Sequence, residues 1–291
     1  MAAIFSFTEK DNILTGPLRT PRNSAISAGA GSIHDQATAQ KLGFRGGTVA
    51  GSLHMEQFPP LLIEVFGDNW LTTGSLSLYF RYATTDGEPV QATVNRPGAG
   101  DNQVDIWMDD PAGNRVCDGT ASVADIDMSS AVRKRIAAVP EPQDIRILAN
   151  VEVGKAGPVV ASRIEQAGLD TRLAVITEPL EAYTDAGLFG HRIMTPAQQV
   201  QAMRPGEAAL LPRDGSYGVG LFGAIELQQV NGPAFVDYSY ETFAKVLAVG
   251  ETPKTEYYYY ESTLLDQKSD QTVMTMLMMI RFMKASSPLW R

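Results

Sequence analysis

The chain has 291 residues, 44% of them hydrophobic and 20% charged, the composition of a folded protein with room for one large domain or two of ordinary size. Its 33 acidic residues outnumber 24 basic ones, and the formal net charge of -9 sets a repulsive field against a nucleic acid partner. A single cysteine, Cys117, excludes an intrachain disulfide framework and a cysteine zinc cage; no metal-ligand set and no cofactor motif is visible.

The first residues run quickly into Glu9, Lys10 and Asp11, without the basic region and apolar run of a secretory signal. A short helix is predicted over 35–42, ended by Gly43. After Gly46-Gly47 a longer helix is predicted over 51–66, where Leu53, Phe58, Leu61, Leu62 and Val65 fall near a 3.6-residue period. Pro59-Pro60 inside that run predicts a kink or break, because neither residue has an N–H to give. Alternation then predicts strands over 75–82 (Leu76, Leu78, Phe80 and Tyr82 on one face), 89–95, 104–108 and 116–124. Asp86-Gly87, Arg96-Pro97-Gly98 and residues 110–114 supply the turns between them.

Residues 127–144 break the pattern. Arg133-Lys134-Arg135 precedes Pro140-Glu141-Pro142, which reads as a linker able to hold a short helix, with the charge run as a solvated face. The chain therefore divides into a first unit over 1–126, a linker over 127–147 and a second unit over 148–291. The second unit repeats the order of the first. Short and longer helices are predicted over 181–187 and 195–203, the latter with Pro196 suited to its first turn. Strands follow from Gly223 and over 236–249, 254–264 and 273–283. On the last of these Met274, Met276, Met278, Ile280 and Phe282 share one side, a core stripe rather than a cofactor box. This most apolar window is far short of the ~20 residues of a membrane helix, and Arg281 interrupts it. A soluble, cytoplasmic protein with no membrane partner is expected.

The run Ser32-Ile33-His34-Asp35, continuing through Ala37, Ala39, Leu42, Gly43-Phe44 and Gly46-Gly47, resembles the hydratase segment of MaoC-like hotdog proteins. The resemblance covers about 29–124 by residues and 181–284 by order of elements. It implies an α+β double hotdog: two copies of a central helix wrapped by an antiparallel sheet, joined edge to edge. It also implies a hydratase or dehydratase acting on an acyl thioester, a hydro-lyase, with CoA a better carrier than an acidic carrier protein for so acidic a chain. Family enzymes are similar in using an Asp-x-Asn-Pro-x-His run. Here the histidine position is His34, but the aspartate position is Gly29, the asparagine position Gly31 and the proline position Ser32.

His34 is the leading acid/base candidate, since imidazole can take and return a proton near neutral pH. His54 lies three residues into the long helix and is the second catalytic candidate. Gly51 and Ser52 open that helix, where free backbone N–H groups suit a polarised thioester oxygen; the same small residues also permit close packing. Tyr79 is a candidate substrate contact. Glu56 is a weak substitute for the missing carboxylate, on a helix where glutamate is commonly exposed, and His191 reads as structural. No Gly-x-Ser-x-Gly elbow or phosphate-loop spacing is present. The rival to hydration is a hotdog pocket that binds an apolar ligand, or that cyclises or eliminates on a polyketide-like substrate. Pairing of two copies into a homodimer is compatible with the sequence, which does not display it.

Overall fold

The computed structural model describes residues 5–23, 32–211 and 217–290. In chain order the first half forms β1 (Thr8–Lys10), β2 (Ile13–Thr15), α1 (Gln36–Lys41), α2 (Gly51–Met55), α3 (Pro59–Phe66), α4 (Trp70–Thr73), β3 (Ser75–Phe80), β4 (Gln91–Asn95), β5 (Gln103–Asp109) and β6 (Arg115–Ser122). The connection carries α5 (Ala131–Ala137). The second half forms β7 (Val160–Ser162), α6 (Gln166–Leu173), α7 (Glu181–Thr184), α8 (Pro196–Leu210), β8 (Gly220–Gln229), β9 (Tyr240–Glu251), β10 (Thr255–Asp266) and β11 (Thr272–Met283).

All strands join one antiparallel sheet in the order β1-β2-β4-β5-β6-β3-β8-β11-β10-β9-β7. Reading outward from the centre, β3, β6, β5, β4 and β2 mirror β8, β11, β10, β9 and β7. The chain is therefore a double hotdog of α+β class, its two units joined edge to edge through β3 and β8. That join runs from Ser75↔Gln228 to Tyr79↔Ala224 and stops there. β8 continues beyond it as far as Gly220, paired with Phe282 of β11.

The helices α2, α3 and α8 cover one face of the sheet. Phe58, Leu61, Leu62, Val200 and Met203 meet Leu76, Leu78, Ile106, Tyr258 and Tyr260 in the main core. The methionine stripe of β11 is buried there as its alternation predicts. Tyr257 and Tyr259 point the other way, into a smaller cluster with Leu277, Met279 and Val132 of α5. The four-tyrosine run thus serves both faces.

The prolines break the first helix as expected: α2 ends at Met55 and α3 restarts at Pro59. The second central helix is longer than its pattern predicts. A capping box between Thr195 and Gln198 starts α8, and the helix continues through Pro205 to Leu210. Gly206 lets it approach β9, since a Cβ there would lie 2.8 Å from the backbone of Phe243. The last turn is set by packing against the sheet, which outweighs the local cost of one lost hydrogen bond.

Two further expectations are corrected. β1, β2 and β7, three residues each, α4, four residues, and α6, eight, lie where no element is predicted: the short ones cannot show a period, and α6 buries only Leu169 and Arg172. The Arg133–Arg135 run is no solvated face. Arg133 pairs with the buried Glu226 of β8, whose other oxygen accepts a hydrogen bond from Ser130, the N-cap of α5. Arg135 stacks on Tyr79. Their acidic and aromatic partners come from strands distant in sequence, so no local signal announces them.

Candidate functional site

His34 sits in the turn before α1, fixed from both sides. Asp35 caps α1 by accepting from the backbone N–H of Thr38 at 2.9 Å. The N–H of Thr48 donates to the carbonyl of Ile33 at 2.9 Å. Gly47 permits this close crossing, since a Cβ there would lie 2.5 Å from the His34 carbonyl oxygen. The glycine pair is therefore a packing device. The His34 ring places Nδ1 2.6 Å from the carbonyl oxygen of Thr48. A carbonyl only accepts, so Nδ1 carries the proton and Nε2 keeps its lone pair. Burial pushes the His34 pKa below its ordinary 6.5, with the Thr48 carbonyl opposing. At neutral pH the ring is an oriented, uncharged base.

His54, in α2, is 3% exposed and held by a 2.9 Å hydrogen bond between Nε2 and the Thr84 hydroxyl. Its Nδ1 is buried without a partner among the described residues. Burial lowers its pKa to about 4, so it too is neutral. Both imidazoles line one cavity of about 180 Å³, together with Phe44, Gly51 and Phe80. The cavity opens beyond the last β3–β8 pair, between residues 80–84 and 220–222. A second cavity of about 420 Å³ shares His34, Gly220 and Phe222 with the first and reaches Arg204 and Glu207 of α8.

The shift at His54 has a measurable consequence. A pKa near 4 folded against 6.5 unfolded means the unfolded chain binds the extra proton between those values. Stability present above pH 6.5 is lost as pH falls toward 4, by up to ~3 kcal/mol. The expected result is that His54→Gln, which can keep a bond to Thr84, flattens this part of the stability–pH curve in urea unfolding. Parallel curves for the two proteins would refute it.

The remaining expected residues divide. Gly51 lines the cavity, and a Cβ there would lie 2.7 Å from the Phe80 ring, so its small size serves packing. Ser52 is buried one residue on. No hydrogen bond among the described residues takes up the backbone N–H of either, and Ala50 supplies no side-chain cap. Tyr79 is not brought to His34; it lies half-buried among arginines on the opposite face of the sheet. His191 is exposed and packs on Phe235, its ring centroid 5.3 Å away. Gly29 lies outside the described residues.

Glu56 is a correction. It is 1% exposed, paired with Arg172 of α6 at 2.6 Å and accepting from the Thr195 hydroxyl at 2.9 Å. Burial raises its pKa and the guanidinium opposes the rise. It ties the two units together and lines neither cavity beside His34. Three residues beside the imidazoles escape sequence reading. Glu207 accepts from the Tyr258 hydroxyl at 2.7 Å and pairs with Arg204 at 3.1 Å. Arg281 lines the cavity and had one signal, a lone charge in an apolar strand.

No protein-family model matches the chain, and no curated protein matches it. Solved structures do. A protein of Chloroflexus aurantiacus described as a MaoC domain dehydratase is 12% identical with a TM-score of 0.61, over 92% of this chain and 94% of that one. A Mycobacterium tuberculosis protein described as having a double hotdog fold is 13% identical with a TM-score of 0.58, over 91% and 94%. The dehydratase domain of PpsC from the same organism, solved with C12:1-CoA, is 11% identical with a TM-score of 0.56, over 97% and 98%.

Proposed function

We propose that the cavity receives the acyl end of a thioester and that this chain interconverts enoyl and 3-hydroxyacyl thioesters by adding or removing water at His34. The observation that carries the reading is the anchored ring: the Thr48 carbonyl holds Nδ1–H, leaving Nε2 as a neutral base in the cavity. The acyl-CoA bound to the PpsC dehydratase domain, which shares the fold, supports the substrate class.

In the dehydration direction, Nε2 of His34 takes the proton from the carbon beside the thioester carbonyl. The imidazolium then gives that proton to the hydroxyl on the next carbon, which departs as water as the double bond forms. One imidazole serves as base and then acid, which suits a chain with Gly29 at the carboxylate position. The N–H groups of Gly51 and Ser52, untaken among the described residues, are the donors this reading assigns to the oxygen where enolate charge develops; Gly51 lines the cavity and supports it. His54, neutral and tied to Thr84, orients and supplies no proton.

Gly29 also favours a second reading, elimination or cyclisation of a polyketide-like molecule held by the aromatic lining of the cavity. Incubation with crotonyl-CoA and longer enoyl-CoAs, with products identified by mass, separates the two. Gain of one water at one or more chain lengths is expected. No hydration at any length overturns the thioester reading and leaves the second.

A further inference from the structure

Three guanidinium groups converge on the ring of Tyr79, on the face of the sheet turned away from the central helices. Their carbons lie 3.8 Å (Arg135 of α5), 4.8 Å (Arg281 of β11) and 5.4 Å (Arg81, just past β3) from the ring centroid. Among the described residues one carboxylate pairs with them, Asp118, at 2.7 Å from Arg81 and 4.0 Å from Arg135. Nη2 of Arg281 is buried with no hydrogen-bond partner. Gly223 makes the room for it, since a Cβ there would lie 2.6 Å from Arg281 Nε. A guanidinium has five N–H donors, and a buried one left unpaired is costly. The tyrosine ring offsets part of the mutual repulsion; an anion would offset the rest. This excess of positive charge stands out on a chain of net charge -9.

Arg81 and Arg281 also line the cavity that holds His34 and His54. The space at the β3–β8 seam is thus lined by two imidazoles and two guanidiniums. We propose that Arg81, Arg135 and Arg281 bind phosphate groups on the carrier arm of the thioester, with the arm threading the seam toward His34. This rests on the thioester reading. Planar guanidinium forks from three separate elements match the several oxygens of a phosphate or diphosphate. Tyr79 then acts as the platform that holds the forks together. Two carriers bear such phosphates: CoA, with a diphosphate and a ribose phosphate, and the phosphopantetheine arm of a carrier protein, with one.

The test is calorimetric titration of wild type, Arg281→Met and Arg135→Met with CoA, phosphopantetheine, pantetheine and inorganic pyrophosphate. Methionine keeps the apolar stem in place, and Arg135 lies on a surface helix, so that variant reports even if the Arg281 change disturbs folding. Wild type is expected to bind CoA about tenfold or more tighter than pantetheine. Both variants are expected to lose that margin while keeping their pantetheine affinity. Phosphopantetheine matching CoA supports the site with a carrier-protein arm as its source; CoA exceeding it supports the site with the nucleotide phosphates as source. Equal wild-type affinity for CoA and pantetheine overturns the proposal and leaves the thioester reading standing. Loss of pantetheine affinity in both variants overturns it as well, because the arginines then act only on the shape of the pocket. Binding of pyrophosphate alone overturns the carrier assignment together with the thioester reading.

Discussion

Arg172→Met is expected to destabilise the protein by about 3–5 kcal/mol, a large share of the stability of an ordinary domain. Arg172 and Glu56 are both buried, 2.6 Å apart, and their elements belong to different hotdog units. Removing the guanidinium leaves the Glu56 carboxylate with the Thr195 hydroxyl and the backbone N–H of Ala197 but with no opposite charge, and unable to reach water. Most of the cost comes from that stranded charge. The double variant Glu56→Met with Arg172→Met should therefore recover more than half of the loss, which urea unfolding of the four proteins in the cycle would measure. Additive losses would show that the two side chains act independently and would sink the account.

The second large effect is on turnover. His34→Ala is expected to lower kcat/KM for an enoyl-CoA by about 10²- to 10⁴-fold, the range for removing a positioned acid/base group. His34→Gln should fall as far, although an amide could still bond to the Thr48 carbonyl, since it cannot carry the proton. The pH profile has a definite sign. His34 must be uncharged to act as base, and burial holds its pKa below 6.5. Wild-type kcat/KM should be flat around neutral pH and fall as pH drops through that lowered value. An undiminished alanine variant, or a rate that rises toward acid, would remove His34 from the mechanism.

How much of this was legible in the chain depended on the range of the interaction involved. The break before Pro59 was readable because a missing N–H acts on its own helix. The alternation in β3 and β5 was readable because one face of each strand is packed under helices and carries the apolar residues, and β11 was readable from its methionine stripe although Leu277 and Met279 of its other face are buried too. His34 stood out through the resemblance that residues 32–47 carry, and the cap that Asp35 provides for α1 by accepting from Thr38 came with the structure. The length of α8 was misjudged, since its last turn is held by β9 rather than by its own pattern.

By itself, then, the sequence determined the repeated helix-and-strand order, the faces of the strands and the presence of an imidazole beside a helix start. Only the tertiary structure decided that Glu56 is buried, because its partner Arg172 lies 116 residues away. The same holds for the place of Tyr79. Its alternation puts it on the face opposite Leu78, but the arginines that surround it come from a strand end, a linker helix and the last strand. It also holds for the cavity itself, which exists because the pairing of β3 with β8 ends at Tyr79↔Ala224. Propensity and periodicity act over a few residues along the chain, whereas charge pairing and the end of a seam depend on which distant segments the packed core brings together.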